Sequence, residues 1–451
     1  MTPTVRRAGR MPPGTAEVPV AIIGAGACGL TAALTLRDAG IECVLLERDA
    51  RSQGSTALSS GFVPAAGTAV QRAAGVLDDT PARFAHDIQA KAHGTAAPHL
   101  VAAYTEAIGP TIDALGARHG LEFELLHGFV YPGHSVLRMH ALAQRSGAAL
   151  AAALEAAALR AGALQLHEAL VRELWCDDGG RVVGVGHERP DGVVEHLACT
   201  VVLLACNGFG GHAAMVRELL PAMRDAVFAG HVGNDGSAIA WGRQLGARLA
   251  DLGGCQGHGS WAVPQGALIS WALMTEGGIQ VNAEGRRFHD ETEGYSEASV
   301  QVLAQPGRIA WDVFDDRLLA LGRTFPDFVG AEAAGAVRHA ADPAALAALI
   351  GCDAAVLAAT LAGTRLVAPY HAVKVTGALF HTQGGLDIDA RCRVLRDDGT
   401  PFPNLLAAGG AARGVSGNAV WGYLSGNGLL SAIAGGAIAA RTAAALLQGT
   451  R

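Results

Sequence analysis

Three glycines near the N-terminus, Gly24, Gly26 and Gly29, stand at the G-x-G-x-x-G spacing, and Glu47 follows 18 residues after the last of them. Glycines at these positions allow a tight turn, a close approach of the backbone to a pyrophosphate and close packing of a helix on a strand. A helix that begins here adds N–H donors and the positive end of its dipole. The Glu47 carboxylate is placed to accept hydrogen bonds from a ribose diol. These residues therefore predict a dinucleotide-binding site.

The elements that must position these residues flank the glycines on both sides. Residues 18–23 form a short apolar, β-branched run typical of a buried parallel strand. Residues 30–38 have helical apolar spacing, and residues 42–46 form a second apolar run that ends at Glu47. A bare G-x-G-x-x-G is weak evidence in a glycine-rich chain, whereas strand, turn, helix, strand and carboxylate in this order are specific. The Gly/Ser-rich residues 53–62 then supply backbone donors to a cofactor or form a solvated linker.

The composition sets the class of protein and the number of domains. The chain has 451 residues, of which 50% are apolar and 17% charged, so we expect a large core and two domains. A formal charge of -7 argues against a nucleic-acid partner. The eight cysteines lack C-x-x-C spacing, so we expect buried reduced thiols and no metal, iron–sulfur or haem attachment site.

The N-terminal segment and the apolar stretches bear on localisation. Residues 1–16 are rich in Arg, Pro and Gly and predict a flexible leader. Arg6-Arg7 fits a twin-Arg export signal, but the apolar run that follows is better explained as the first strand of the dinucleotide fold. The longest apolar stretches are Ala/Gly-rich and interrupted, so we expect no membrane span and a soluble cytoplasmic protein.

Four segments in this sequence resemble the flavoprotein family of fumarate reductases, succinate dehydrogenases and 3-ketosteroid dehydrogenases. The first is the glycine motif with Glu47 and the loop at 53–62. The others are residues 201–211, residues 277–291, which are similar to the pattern I-x-V-N-x-x-G-x-R-F-x-x-E, and the motifs between residues 369 and 429. They follow one another in family order along nearly the whole chain, which makes the resemblance more specific than any single motif.

The resemblance implies an α/β architecture, a Rossmann-type FAD-binding domain with an inserted α+β capping domain. We expect the discontinuous FAD-binding domain at residues 17–230 and 365–451, and the capping (substrate) domain at 231–364. In the family the substrate lies at the junction of the two, where a cap excludes water from a reactive reduced flavin.

The same resemblance assigns the cofactor-binding residues. Covalently flavinylated members use a histidine in the loop at 53–62, which has none here, so we expect non-covalent FAD. Gly410 stands where the family usually has an acidic residue, which implies that FAD binding relies more on backbone contacts. The predicted cofactor residues are Gly24, Gly26, Ala27, Cys28, Gly29, Glu47, Arg48, Ser55, Thr56, Ser60, Gly61, Val171, Asn207, Gly208, Gly409, Gly410, Ser425, Gly426, Gly428 and Leu429.

Two tyrosines stand where fumarate reductases have the arginines that clamp substrate carboxylates. They are Tyr295, after residues 288–291, and Tyr423, ahead of residues 425–428. The pair resembles the ketosteroid dehydrogenase branch, in which one tyrosine is the base and another polarises the ketone together with a backbone N–H. A proton beside a carbonyl becomes acidic when the developing enolate oxygen receives hydrogen bonds. The alternative for both tyrosines is a packing role in the core or at an interface.

Four further residues complete the predicted catalytic set. His381, in H-T-x-G-G, and His258 match family histidines that face the substrate, although a lone histidine is more often a satisfied structural one. Tyr131 is a third pocket tyrosine or a packing residue. Arg413 follows the 404–410 motif and anchors a substrate carboxylate or forms a surface ion pair. His134, Arg138 and His140 form a further polar cluster, which we do not include in the predicted catalytic set.

The sequence thus predicts an FAD-dependent oxidoreductase that desaturates a cyclic ketone or small oxo-acid at its α,β bond, with hydride transfer to flavin N5. A diffusible acceptor or oxygen would take the electrons. The alternative enzyme is of the fumarate reductase or tricarballylate dehydrogenase type and acts on a carboxylate. A third hypothesis is a flavin-binding regulatory or structural protein without turnover.

Overall fold

The computed structural model describes residues 3–128 and 130–449. These residues divide into two compact units. Unit 1 comprises residues 3–219, 230–255 and 381–449, and unit 2 comprises Leu220–Ala229 and Gln256–Phe380. The sequence predicts a capping domain at residues 231–364. Unit 2 ends at Phe380, 16 residues after that predicted end, and it also includes Leu220–Ala229.

The chain alternates short strands and helices. The strands are β1 (Thr4–Arg7), β2 (Ala16–Ile23), β3 (Cys43–Leu46), β4 (Val63–Pro64), β5 (Phe123–Leu125), β6 (Met139–Leu142), β7 (Leu164–Leu166), β8 (Leu170–Cys176), β9 (Val182–Glu188), β10 (Val194–Leu204), β11 (Val227–Phe228), β12 (Leu249–Ala250), β13 (Cys255–Ala262), β14 (Ala267–Leu268), β15 (Ile279–Val281), β16 (Ala310–Asp315), β17 (Val337–Ala340), β18 (Tyr370–Thr382), β19 (Gly385–Leu386), β20 (Arg393–Leu395) and β21 (Pro401–Ala407). The helices are α1 (Ala27–Asp38), α2 (Gly54–Leu58), α3 (Ala69–Ala73), α4 (Pro81–Lys91), α5 (Pro98–His119), α6 (Gly147–Arg160), α7 (Ala213–Leu219), α8 (Ser237–Leu245), α9 (Ala272–Thr275), α10 (Tyr295–Leu303), α11 (Asp316–Gly322), α12 (Pro326–Ala333), α13 (Pro343–Ile350), α14 (Ala354–Ala362) and α15 (Asn427–Gly449).

Unit 1 is built on a nine-stranded sheet with the order β1-β8-β9-β10-β2-β3-β7, to which β21 adds by pairing with β10 and β20 by pairing with β21. Strand β2 runs parallel to β3 on one side and to β10 on the other. Its residues from Val20 to Ile23 are buried in the core of unit 1. The predicted strand at 18–23 and the predicted helix at 30–38 thus lie within β2 and α1.

The N-terminal segment differs from the sequence expectation. A flexible leader is predicted over residues 1–16, but Thr4–Arg7 forms β1 and pairs parallel with β8. The Val5 N–H also donates to Gln244 Oε1 at 2.9 Å. The partners are far away in the sequence, so composition alone does not reveal the pairing. Met1 and Thr2 lie outside the described residues.

Helix α15 crosses α1 at close range in the core of unit 1. Gly436 lies directly against the Cys28 carbonyl of α1, where a Cβ atom has no room. Among the described residues, α15 is the one helix long and apolar enough to cross a membrane, yet 61% of its apolar window is buried inside the protein. This burial is what the core helix of a globular unit shows.

Unit 2 is a mixed unit around its own sheet. The strand order is β14-β13-β18-β16-β15, with β11 and β17 also paired to β18. Apolar side chains of β16 and β18 and of the helices around them form its core, among them Val313, Phe314, Phe328 and Val373. The unit places β13 and the start of α10 close together, which matters for the site.

Candidate functional site

The turn between β2 and α1 forms an open backbone cradle. Gly24 has φ of +105°, and a Cβ atom there would lie 2.6 Å from the Ala205 carbonyl oxygen, so only glycine fits. A Cβ on Gly26 would meet a single atom within 4 Å, Thr56 Oγ1 at 3.4 Å. Gly26 provides no side-chain cap, and Thr56 Oγ1 accepts a hydrogen bond from the Ala27 N–H at 2.9 Å. The first turn of α1 has no acidic residue, so no negative side chain opposes the approach of an anion to the glycine turn.

Glu47 lies at the edge of this cradle, immediately after β3. Its Oε2 accepts a hydrogen bond from the Ala25 N–H at 2.8 Å, and its Oε1 accepts one from the Asp49 N–H at 3.0 Å. Burial raises the pKa of Glu47 although both hydrogen bonds act against the rise. The carboxyl group is therefore fixed beside the glycine turn.

Ser55 joins two asparagines on the other side of the cradle. Its Oγ accepts hydrogen bonds from Asn207 Nδ2 at 2.7 Å and from Asn234 Nδ2 at 3.2 Å. Asn234 Oδ1 is buried without a hydrogen-bond partner in the described part of the chain, so this cluster holds an acceptor suited to a cofactor N–H or O–H group. A Cβ on Gly410 would collide with the Asn207 side chain in its present conformation.

The other predicted cofactor residues lie in several places around this cradle. Gly409 borders α1, since a Cβ there would lie 3.3 Å from Cys28 Cβ. Val171 is buried in β8, two residues after Ala169, whose N–H donates to the Glu47 carbonyl. Arg48 forms an ion pair with Asp235 at 3.4 Å. Ser60 is exposed, and the structure shows no contact that ties it to the cradle.

The cradle fits an adenine dinucleotide. The open glycine turn would receive the pyrophosphate, and Glu47 would receive the ribose. The glycine turn without side chains and the unpartnered Asn234 oxygen are both suited to a polar cofactor.

Tyr423, His381 and the start of α15 come together in unit 1. The Tyr423 and His381 rings stand edge to face with centroids 5.6 Å apart, and the Gly428 N–H donates to Tyr423 Oη at 3.4 Å. Burial raises the pKa of Tyr423 to about 12, against the effect of the backbone hydrogen bonds. Burial also lowers the pKa of His381 to about 4. Both side chains are therefore neutral at physiological pH.

Tyr131 lies on a loop that reaches the same segment. A Cβ on Gly133 would lie 2.7 Å from Leu424 Cδ1, and His134 Nε2 lies 2.9 Å from the Ser425 carbonyl oxygen. The Tyr131 ring packs edge-on against Phe62, with centroids 6.2 Å apart. The structure thus brings Tyr131 near the Tyr423 segment and also gives it a packing partner, so both interpretations from the sequence stay open. Phe129, in the same sequence motif, lies outside the described residues.

His258 and Tyr295 form a second cluster, in unit 2. Their rings stack with centroids 5.1 Å apart and an interplanar angle of 17°. His258 Nδ1 accepts a hydrogen bond from the Ser260 N–H at 3.1 Å, so the proton of the neutral ring is on Nε2. Burial lowers the pKa of His258 to about 3. The predicted pair is therefore adjacent, with a neutral imidazole stacked on the phenol ring.

Arg413 does not stand ready to bind a substrate carboxylate. Its Nε lies 2.6 Å from Asp251 Oδ2 and its Nη1 lies 3.4 Å from Asp387 Oδ1. Asp251 is therefore the close partner of the guanidinium, whereas Asp387 lies farther from it and also pairs with Arg248 at 2.7 Å. The anchoring role of Arg413 stays a prediction, and these contacts support the alternative interpretation, an ion pair.

Several polar residues around these clusters are not predicted from the sequence. Gln383 occupies the variable position of H-T-x-G-G, yet it contacts His381. Asn234 has no motif that marks it. Ser416 bonds both Asn427, 11 residues later, and Gln383, 33 residues earlier, and no local pattern indicates these contacts.

Comparison with known proteins identifies the fold and the cofactor. A family model described as FAD binding domain matches residues 19–429. The chain is 28% identical over 455 residues to the NADH:fumarate oxidoreductase of Klebsiella pneumoniae, covering 95% of this chain and 48% of that protein, so it spans about half the length of this relative. It is 25% identical over 512 residues to the 4-oxocyclohexanecarboxylate 2-dehydrogenase of Sinomonas cyclohexanicum, covering 87% of each chain.

Solved structures agree with this result. The open conformation of a flavocytochrome c3 fumarate reductase superposes with a TM-score of 0.82 and 26% identity, covering 96% of this chain and 79% of the other. The 3-ketosteroid Δ4-(5α)-dehydrogenase of Rhodococcus jostii RHA1 shares the fold, with a TM-score of 0.78 and 24% identity over 98% of this chain and 100% of the other. The predicted α/β flavoprotein fold, the family resemblance and FAD are confirmed.

Proposed function

Because the chain belongs to the FAD binding domain family of flavoprotein oxidoreductases, we propose that it desaturates the α,β carbon–carbon bond of a cyclic ketone or small oxo-acid. One of its relatives is named as a dehydrogenase of 4-oxocyclohexanecarboxylate, a compound that carries both a ring ketone and a carboxylate. FAD, when bound, supplies the hydride acceptor. The acceptor of the electrons from reduced flavin is proposed to be a small diffusible molecule or oxygen.

The observation that carries this proposal is the neutrality of the candidate substrate-binding groups. Burial lowers the pKa of His381 to about 4 and that of His258 to about 3, and it raises the pKa of Tyr423 to about 12. The charge of Arg413 is matched by Asp251 and Asp387. A dicarboxylate is best held by cationic, bidentate groups, whereas a ketone oxygen is well served by neutral hydrogen-bond donors. The candidate set therefore suits a ketone.

The chemistry follows from these donors. Tyr423 Oη accepts a hydrogen bond from the Gly428 N–H, which polarises the phenol and strengthens it as a donor to a ketone oxygen. Donation to that oxygen stabilises the enolate that forms when the α proton leaves. Tyr295, as its phenolate, is the proposed base that accepts this proton and becomes a neutral phenol, with His258 stacked on its ring. The β hydrogen departs as hydride, so the substrate loses a proton and a hydride and becomes an enone.

A second candidate function comes from another relative. The Klebsiella pneumoniae protein is named as a fumarate oxidoreductase, which reduces the C=C bond of a dicarboxylate. In that case His381, His258 and Arg413 would be the anion ligands. Replacement of Tyr295 by phenylalanine would then leave the reaction largely unchanged, whereas it would abolish proton abstraction in the ketone dehydrogenase.

Anaerobic flavin reduction tests the two candidates in one experiment. FAD-loaded protein is mixed with 4-oxocyclohexanecarboxylate, with cyclohexanone, with a steroid ketone and with succinate, and absorbance at the flavin band is followed. We expect bleaching by a cyclic ketone and none by succinate. Photoreduced protein is mixed with fumarate as the reverse test. Reoxidation by fumarate together with failure of every ketone would overturn the proposal.

A further inference from the structure

We propose that Gln383 sets the tautomer of His381, so that this imidazole acts only as a hydrogen-bond donor through Nε2. The inference rests on the proposed function for the identity of the group that receives this bond, a ketone or enolate oxygen. It assigns Gln383 as a positioning residue that acts through His381.

A chain of three hydrogen bonds determines the direction of each donor. Asn427 Nδ2 lies 3.0 Å from Ser416 Oγ, Ser416 Oγ lies 3.1 Å from Gln383 Oε1, and Gln383 Nε2 lies 3.2 Å from His381 Nδ1. An amide nitrogen can only donate, so the serine oxygen accepts from Asn427. The serine hydroxyl then donates to the Gln383 oxygen, and the Gln383 amide nitrogen is left to donate to His381.

Burial couples the orientations of these side chains. Gln383, Ser416 and Asn427 are exposed by only 4%, 1% and 0%, so water does not compete for their hydrogen bonds. Reversal of the Gln383 amide alone would place its nitrogen against the donating Ser416 hydroxyl and its oxygen against an acceptor Nδ1. The Gln383 and Asn427 amides can therefore reverse only together, and the orientation in the structure is the one that makes Nδ1 an acceptor.

This orientation fixes the proton of His381. Nδ1 accepts from Gln383, so the neutral ring carries its proton on Nε2. The Thr382 carbonyl favours the opposite tautomer, but it lies at 3.4 Å from Nδ1, farther than the amide nitrogen. The low pKa of His381, which follows from burial, agrees with a neutral ring.

The position of His381 Nε2 indicates which group its N–H would bind. A Cβ atom on Gly428 would lie 2.9 Å from His381 Nε2 and 3.5 Å from Tyr423 Oη. Two neutral donors, an imidazole N–H and a phenol O–H, thus flank the same point at the start of α15. Together they form a place where one oxygen that gains negative charge is stabilised from two sides.

Nitrogen NMR of the histidine rings tests the tautomer directly. FAD-loaded protein labelled with 15N-histidine is measured at pH 7 without substrate, and His381→Gln identifies the resonance. We expect neutral His381 protonated on Nε2. In Gln383→Glu the carboxylate can only accept, so we expect a proton on Nδ1. Gln383→Met, which neither donates nor introduces a charge, should leave a mixture of tautomers. Gln244→Glu, at an exposed site, is the matched control and should change nothing.

Two results would overturn the inference. One is a wild-type His381 that is protonated on Nδ1, and the other is a folded Gln383→Glu protein with the wild-type tautomer. Circular dichroism and the flavin spectrum report folding, and Gln383→Met supplies the test if Gln383→Glu does not fold.

Kinetics separate this inference from the proposed function. In Gln383→Glu and Gln383→Met we expect flavin reduction by the ketone to slow by about 100-fold in kcat, with a smaller change in KM, as for loss of one oxyanion donor. If no ketone reduces the flavin but the tautomer responds as expected, the proposed function fails and the role of Gln383 stands. If a ketone reduces the flavin and neither tautomer nor kcat responds, the role of Gln383 alone fails.

Discussion

Replacing Arg138 with methionine should strongly destabilise unit 1. The guanidinium is fully buried, with Nη2 at 2.7 Å from Asp79 Oδ1 and Nη1 at 2.7 Å from Asp87 Oδ2. The side chain of Asp79 is also fully buried, and that of Asp87 is 6% exposed. Methionine fills most of the volume but removes the only cation between these two carboxylates in the described network.

The size of the effect follows from this burial. Breaking a buried ion pair by removing one partner costs about 3–5 kcal/mol, because the remaining charge is left uncompensated. Arg138 also donates to His134 Nδ1 at 2.9 Å, which leaves the Nε2–H of His134 to bond the Ser425 carbonyl just before α15. We therefore expect weaker FAD binding as well as lower stability.

Urea unfolding at pH 7, followed by circular dichroism, measures the loss of folding free energy in Arg138→Met. Arg6→Met is the control, because Arg6 is 55% exposed beside Glu173 and such a surface pair contributes about 0–1 kcal/mol. A triple variant that also carries Asp79→Asn and Asp87→Asn should regain much of the lost stability. An Arg138→Met protein as stable as Arg6→Met would refute the reasoning.

The dependence of the folding stability on acidic pH gives an independent check on the ion pair between Arg138 and Asp87. Burial by itself would raise the pKa of Asp87, but hydrogen bonds from Arg138 and Ser135 outweigh it and lower the pKa. A depressed carboxyl pKa contributes stability above the unfolded value of about 3.9, and this contribution is lost as the pH falls below it. The wild type should therefore lose its stability advantage over Arg138→Met below about pH 4.

Further predictions concern the cofactor and the substrate. Tyr423→Phe keeps the buried ring and removes the donor, so stopped-flow flavin reduction should slow by about 10²–10³-fold; an unchanged rate would exclude the role. Glu47→Gln should weaken FAD binding by about 10- to 100-fold in a fluorescence titration, since a charged acceptor is lost; unaltered affinity would remove Glu47 from the site. Arg413→Met should lower the unfolding temperature and leave KM for an oxo-acid unchanged, and a large rise in KM would restore it as an anchor. Acid precipitation should release the flavin into the supernatant, and flavin retained in the pellet would show a covalent bond.

Local patterns in the sequence predict the cofactor cradle well. Strand, glycine turn, helix and terminal carboxylate are contiguous, so the residues from Val18 to Glu47 determine β2, α1 and β3 by themselves. The two tyrosines and His381 are found by family resemblance, because His381 lies within a matched motif and each tyrosine stands close beside one. The neutral state of Tyr423 and His381 is not predicted, since it depends on burial in the folded chain.

Contacts between distant segments account for what the sequence does not predict. Arg413 meets Asp251, which is 162 residues away, so its ion pair cannot be read from the loop that contains it. The orientation of Gln383 depends on Ser416, 33 residues along the chain. Pairing of β1 with β8 likewise joins residues more than 160 positions apart. In each case a long-range partner decides the role of a residue with no local pattern.

The most direct measurement is a crystal structure of the FAD-loaded protein with a bound cyclic enone, the product of the proposed reaction. The account predicts that the ketone oxygen lies within hydrogen-bond distance of both Tyr423 Oη and His381 Nε2. A ketone oxygen held instead by a guanidinium group, or placed away from both of these donors, would contradict it.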